Sequence, residues 1–141
     1  MKEQDAVFLP ADFDYYSDMS SKGMEIIEKY ADVFEYVGRD EAYLDVTQKT
    51  EMSIHNAEHL AQQLKNEIRN SLKLSCSIGI SPNKLLSKIA SDFKKPDGLT
   101  TVKPEQVEEF LSSLKIREIP GIGKKTEDVF TQMGILSLIH I

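Results

Sequence analysis

A chain of 141 residues is long enough for one ordinary domain, or for a domain with a small appended module. Its 40% hydrophobic and 28% charged residues describe a globular chain and exclude a disordered one. No apolar run approaches the length of a membrane span, no secretory signal opens the chain, and the single cysteine excludes an internal disulfide and fits a reducing compartment. The net charge of −6 is unevenly spread: residues 1–67 carry 6 basic and 15 acidic side chains, whereas residues 84–125 carry 9 basic and 6 acidic ones. A phosphate-binding face belongs to the second half if the asymmetry is functional. The alternative is the chance unevenness of a solvated surface.

Taken in chain order, Tyr16, Met19, Gly23, Ile26 and Tyr30 recur at helical spacing and predict a helix from about Asp14 to Tyr30. Two short β-type runs, Val33–Val37 and Ala42–Val46, then flank Gly38-Arg39-Asp40-Glu41 as a hairpin. Ile54, Ala57, Ala61, Leu64, Ile68 and Leu72 mark a second amphipathic helix. Leu74–Ile80 alternates with period two, as a half-buried strand does, and makes Cys76 a buried structural thiol. Ser81-Pro82 signals a helix start, with Ser81 as N-cap, and Lys95-Pro96-Asp97-Gly98 ends that helix with turn chemistry. A strand at Leu99–Val102 and a helix opened by Pro104 follow. The order is that of an α+β domain followed from about Pro104 by a small helical module.

Three motifs carry chemistry. Asp40-Glu41 places adjacent carboxylates between two apolar runs, and like charges there need solvent or a cation to neutralise them. Lys84, Lys88 and Lys95 lie along and after one helix, where each reads either as a solvated side chain or as a point charge for phosphates. Ile119-Pro120-Gly121-Ile122-Gly123-Lys124-Lys125 reads as a helix-hairpin-helix: glycines for a tight turn, then a helix N-terminus with free N–H groups and two lysines, which suit a DNA phosphate. A glycine turn between packed helices is the plain alternative.

Asp40-Glu41-Ala42-Tyr43-Leu44-Asp45 and the long run from Gly79-Ile80-Ser81 to Lys95-Pro96-Asp97-Gly98 resemble signatures of the Y-family (translesion) DNA polymerases, the DNA polymerase IV group. The resemblance implies a partial polymerase palm over residues 1–103, with a mixed or antiparallel sheet and helices on one face. A partial, all-helical thumb with the helix-hairpin-helix follows over 104–135. It implies template-directed, low-fidelity nucleotidyl transfer in DNA repair with two Mg²⁺ ions. Asp40 and Glu41 are then metal ligands, with Glu41 alternatively orienting the primer hydroxyl. Lys95 becomes the contact to the incoming triphosphate, and Gly121, Ile122, Gly123, Lys124 and Lys125 the grip on duplex phosphates. Asp45 is read as capping or orienting the hairpin rather than binding metal.

The implied partners are primer–template DNA and deoxynucleoside triphosphates, with a sliding clamp as a candidate for a C-terminal segment outside this chain. The expected setting is cytoplasmic and monomeric, without a membrane. The family has Ser-Ile where this chain has Gly38-Arg39, a departure near the primer end and not at the ligands. Asp12-Phe13-Asp14-Tyr15-Tyr16 imitates the strand that opens such polymerases, but it directly precedes the helix before the hairpin, so Asp12 and Asp14 are read as helix-start acids. His55 and His59, four apart without a third ligand, are read as surface residues.

Only the middle of such a polymerase is matched, so the chain is expected to be a fragment, inactive alone for want of a further Asp. Its residues 136–141 are expected to be a non-native tail, the alternative being an apolar tail packed on the preceding helix. Two rival functions are a non-catalytic helix-hairpin-helix DNA-binding module and a metal-dependent nuclease or other phosphotransferase. A third outcome is failure to fold alone, through an open sheet edge.

Overall fold

The computed structural model describes residues 7–135 and Ser137; apart from Ser137, the expected tail lies outside the described residues. The first helix, α1, spans Phe13–Glu28. Asp12 caps it by accepting a hydrogen bond from the Tyr15 amide at 3.0 Å, and Asp14 lies in its first turn, where the helix dipole favours an acid.

The expected hairpin follows as β1 (Val33–Gly38) and β2 (Glu41–Asp45). The strands pair antiparallel, Val33 opposite Asp45 and Tyr36 opposite Ala42, with the register shifting between Tyr36 and Gly38. Helix α2, Ile54–Leu72, is capped by the Ser53 hydroxyl and closed by Lys73 in the left-handed region (φ 59°). Its apolar stripe buries Leu64 and Ile68 against Ile26 of α1, and Tyr30, Leu44, Cys76 and Ile78 pack around them.

Four sequence expectations change here. The run Leu74–Ile80 is a strand only over Ile78–Ile80, which is β3. It pairs parallel with β4, Leu99–Thr101, and β4 is only three residues long. Before it, Gly98 gives its amide to the Ser77 hydroxyl at 3.1 Å, which leaves Leu74–Ser77 without a backbone ladder. The alternation there reflects Cys76 packing on the core and Leu74 facing solvent, not strand pairing. Cys76 is half-buried, and desolvation pushes its thiol pKa up, which fits a structural role.

Helix α3 runs from Lys84 to Phe93, and its N-cap is Asn83, which accepts from the Leu86 amide at 2.9 Å. Ser81 is occupied elsewhere, donating to the Asn83 carbonyl at 2.7 Å and meeting the Ser87 hydroxyl at 2.9 Å. Pro104 opens a single 3₁₀ turn, Pro104–Gln106, before α4 (Val107–Ser112).

A second cluster joins the helical module to α3: Ile89 and Leu114 are buried with Phe110, Leu111 and Ile119 around them. The Phe93 and Phe110 rings meet edge-on at 5.5 Å. A further 3₁₀ turn, Ile116–Glu118, leads to α5, Lys124–Gln132. Among the described residues no helix is long and apolar enough to cross a membrane.

The tie between Tyr30, just after α1, and α2 gives a pH signature. The Tyr30 hydroxyl donates to Glu67 at 2.6 Å, and this bond, then burial, then the carboxylate charge push its pKa from 10.0 up to about 12. The protonated phenol is the stabilising form, so its contribution is complete below pH 10.0 and is lost as pH rises toward about 12. In a tyrosinate absorbance titration Tyr30 should ionise only as pH rises toward about 12, and that late step should vanish in Tyr30→Phe. A late step persisting in the variant would contradict the assignment.

Candidate functional site

The hairpin turn is pinned from α1. The Ser20 hydroxyl donates to the Arg39 carbonyl, and the Arg39 guanidinium lies 5.9 Å from the centre of the Phe13 ring. The turn therefore presents Asp40 and Glu41 at a fixed place, Asp40 in the turn and Glu41 as the first residue of β2, both exposed. Asp45, at the far end of β2, accepts from the Thr47 amide at 2.9 Å, and bonds to Thr47 hold its carboxyl below the usual range. It thus orders the loop after the hairpin.

Asp40 and Glu41 line a cavity of about 510 Å³ that also includes Lys88 and Lys95. It lies over α2 (Ala57, Ala61, Leu64) between β2 (Ala42, Leu44) and β3 (Ile78, Ile80). Neither strand has a second partner among the described residues, so two unpaired strand edges line one largely apolar slot. The described structure thus brings the acid pair of the hairpin and the candidate phosphate lysine after α3 to one cavity. His55 and His59 are exposed on α2, outside this cavity.

Ion pairs join the two sides. Lys88 of α3 pairs with Glu41 and lies 3.4 Å from Asp92 one helical turn on, while Lys95 pairs with Asp92 at 2.5 Å. The Glu41 hydrogen bond, opposed by burial and aided by the Asp92 charge, raises the Lys88 pKa and keeps it an ammonium. Burial raises the Asp92 pKa, but the Lys95 hydrogen bond and the Lys88 charge outweigh it and hold the carboxylate ionised. Lys84 instead pairs with Glu35 and lies 5.7 Å from the centre of the Tyr43 ring.

Two residues at this site were not singled out by sequence as functional. Asp92 was legible only as the i,i+4 partner of Lys88. Lys65 stands on the apolar stripe of α2, 8% exposed, and its ammonium reaches the Cys76 carbonyl (2.5 Å), the Asp97 carbonyl (2.9 Å), the Asp97 carboxylate (2.7 Å) and the Gly98 carbonyl (3.3 Å). A lysine in an otherwise buried stripe was the available signal. Arg69 also pairs with Asp97. The turn after Lys95 is thereby clamped to α2.

Asp40 and Glu41 are hard oxygen donors, and Mg²⁺ is ordinarily held by one or two carboxylates completed by water and substrate phosphates, so the pair fits that ion. Among the described residues no group of three or more acidic, histidine or cysteine side chains is arranged around a metal position.

The helix-hairpin-helix residues are not part of the cavity. Gly121 adopts φ +89°, which an L side chain rarely takes. Gly123 is the N-cap of α5 with no side-chain cap, so the first amides of α5 have no side-chain acceptor, and Lys124 and Lys125 are exposed beside them. A Cβ at Gly121 or Gly123 would meet nothing within 4 Å, so the backbone is open to close approach. Ile122 is half-buried and ties back to the Ile119 carbonyl at 3.1 Å.

The impB/mucB/samB family model matches residues 1–92, and a model of the IMS family HHH motif matches residues 104–135. The chain is 72% identical over 134 residues to a DNA polymerase IV of Nitrosopumilus maritimus, covering 95% of this chain and 37% of that protein. It is 46% identical over 131 residues to DNA polymerase IV 2 of Methanosarcina mazei, covering 93% and 35%. The chain thus spans little more than a third of these curated relatives.

Among solved structures, DinB from Sulfolobus solfataricus superposes with a TM-score of 0.89 at 39% identity, covering 94% of this chain and 39% of that one. An insertion ternary complex of Dbh DNA polymerase superposes with a TM-score of 0.90 at 39% identity, covering 94% and 38%. Family models over both parts, close relatives and matching folds agree: the chain belongs to the impB/mucB/samB family, the Y-family DNA polymerases of the DNA polymerase IV group.

Proposed function

We propose that this chain is the middle of a translesion DNA polymerase that adds deoxynucleotides to a primer opposite a template, with low fidelity, as a monomeric cytoplasmic enzyme. Residues 1–103 form part of its palm and 104–135 part of its thumb. The observation that carries this reading is the convergence of Asp40, Glu41 and Lys95 on one cavity. Asp40 and Glu41 are the candidate ligands for Mg²⁺. Two bound ions would neutralise the triphosphate and activate the primer hydroxyl. Lys95, turned outward beside Asp92, holds a phosphate of the incoming nucleotide by charge. The slot between β2 and β3 takes a strand from the rest of the polymerase, which pairs both open edges and carries the further Asp.

Grafting supplies the direct test. Residues 7–135 placed in the Nitrosopumilus maritimus relative should yield a chimera that extends a primer on a template. Asp40→Ala should lower extension by roughly 1,000-fold, since metal charge stabilisation is worth several kcal/mol. Lys95→Ala should raise the nucleotide KM by about tenfold, the worth of one charged hydrogen bond. An inactive but folded chimera would sink the reading. The 141-residue chain by itself should extend no primer, and any template-dependent extension by it would overturn its dependence on a further Asp.

The hairpin at Gly121–Lys125 grips duplex phosphates through the α5 amides and the two lysines, without reading sequence. Duplex binding by the 141-residue chain should weaken steeply with salt, and removing Lys124 and Lys125 together should lower the log–log salt slope by about 2. Asp40→Ala should leave this binding unchanged. Salt-independent binding would contradict the phosphate grip. Mg²⁺-dependent cleavage abolished by Asp40→Ala would favour a nuclease.

A further inference from the structure

The ion pairs across the cavity form a chain of alternating charge: Glu41, Lys88, Asp92, Lys95. Its links are unequal. Lys88 is engaged with Glu41, while its second acceptor, Asp92, lies 3.4 Å away. Asp92 is engaged by Lys95 at 2.5 Å. Asp40, next to Glu41, has neither a hydrogen bond nor an ion pair to any described residue.

One carboxylate of the acid pair is thus neutralised by a lysine, and the other only by solvent. The Lys88 side chain is 22% exposed, so its charge is held near the acid pair by packing as well as attraction. A cation that uses both carboxylates must take Glu41 from this ammonium or share it, and two positive charges on one carboxylate repel.

We propose that Lys88 is a positioning residue that holds Glu41 in the cation-free chain and moves onto Asp92 when Glu41 ligates a divalent cation, releasing Lys95 for phosphate. This rests on the reading of Asp40 and Glu41 as cation ligands. The geometry already holds the second position: Asp92 is one helical turn from Lys88, so a small rotation of the lysine end exchanges one carboxylate for the other. Asp92 then has two ammonium partners and satisfies the closer-held Lys88 first, because Lys95 lies beyond the helix and is 55% exposed, where water replaces a carboxylate at little cost. Occupation of the acid pair and readiness of the phosphate lysine are coupled through Lys88 and Asp92.

The test is Mn²⁺ binding to the 141-residue chain, followed by the loss of the free-ion paramagnetic resonance signal, in wild type, Lys88→Met and Asp40→Ala. Asp40→Ala should abolish the binding, and Lys88→Met should tighten it by roughly three- to tenfold, the scale of one removed like charge near a protein surface. A parallel Mg²⁺ titration of the wild type, read on lysine side-chain resonances, should shift Lys88 and Lys95 together, with neither shift present in Asp40→Ala. That arm needs no variant of Lys88 and stands if Lys88→Met does not fold. Binding that is absent or indifferent to Asp40→Ala would remove the cation reading and this proposal with it. Asp40-dependent binding with unchanged or weaker affinity in a folded Lys88→Met, or with Lys88 and Lys95 resonances unmoved, would overturn the proposal and leave the cation site standing.

Discussion

Gly79→Ala is expected to unfold the chain or cost it about 3 kcal/mol or more, because overpacking against backbone has no cheap relief. Strand β3 lies directly on α3, and a Cβ at Gly79 would fall on the Ser87 carbonyl oxygen, 2.6 Å from the Ser91 amide nitrogen and 2.9 Å from the Ala90 Cβ. Two of those three neighbours are helix backbone and cannot rotate away. Ala90 is wholly buried, and Ile89 beside it anchors the second core, so moving α3 outward opens both contacts. The same shift would carry Lys88 away from Glu41. Gly38→Ala is the matched control: its Cβ would meet nothing within 4 Å, and the cost should stay near that of an exposed substitution. Urea unfolding followed by circular dichroism compares the two, and a Gly79→Ala midpoint equal to wild type would refute the close-packed interface.

Lys65→Met should cost about 3 kcal/mol, as removal of the charged donor leaves a partly buried carboxylate and the Cys76 and Asp97 carbonyls short of a partner. Methionine keeps the length and apolar stem, so lost packing contributes little. The variant should also change the response to acid. The Lys65 hydrogen bond, opposed by burial and aided by the Lys65 and Arg69 charges, holds the Asp97 carboxyl below its ordinary 3.8. A carboxyl depressed in the folded state stabilises above its unfolded value, so this contribution is complete above pH 3.8 and is lost as pH falls through the folded value. The acid loss should be shallower in Lys65→Met, where only Arg69 remains. Urea midpoints at neutral pH and below the ordinary carboxyl value measure both effects. Equal midpoints at neutral pH, or equal acid loss, would rule out the clamp.

On the proposed phosphate role of Lys95, the clamp bears on function because Lys65 fixes the turn that directly follows Lys95. A lysine that must meet a phosphate needs a backbone held within a fraction of an ångström, and exposed turn residues rarely supply that themselves. Here a buried ammonium on α2 supplies it from outside the motif.

Periodic elements were legible from residues alone. Helix α1 lies within two residues of its expected bounds and α2 spans the stripe read from Ile54 to Leu72, because an apolar stripe at 3.6 spacing has one way to reach a core. The hairpin was equally plain, since β1 and β2 are adjacent and need only a turn. The stretch Leu74–Ser77 misled, because alternation records side-chain burial, whereas a strand exists only where a neighbour supplies hydrogen bonds. The N-cap fell on Asn83 because the Ser81 hydroxyl was spent on the Asn83 carbonyl and Ser87, a choice made by local geometry.

The sequence by itself determined the family and singled out the residues proposed to bear chemistry: the acid pair at the turn, the lysine before Pro96, the glycines of the hairpin. These are local patterns of residue type and spacing, and they survive without coordinates. Only the tertiary structure decided that Asp40, Glu41 and Lys95 share one cavity, that Lys88 rather than solvent answers Glu41, and that Lys65 clamps the turn behind Lys95. Those contacts join residues about thirty to fifty positions apart, and the packing of β3 on α3 and of α2 beneath both strands sets which charges meet. Pair distances of that kind depend on how elements stack, and no periodicity within an element records them.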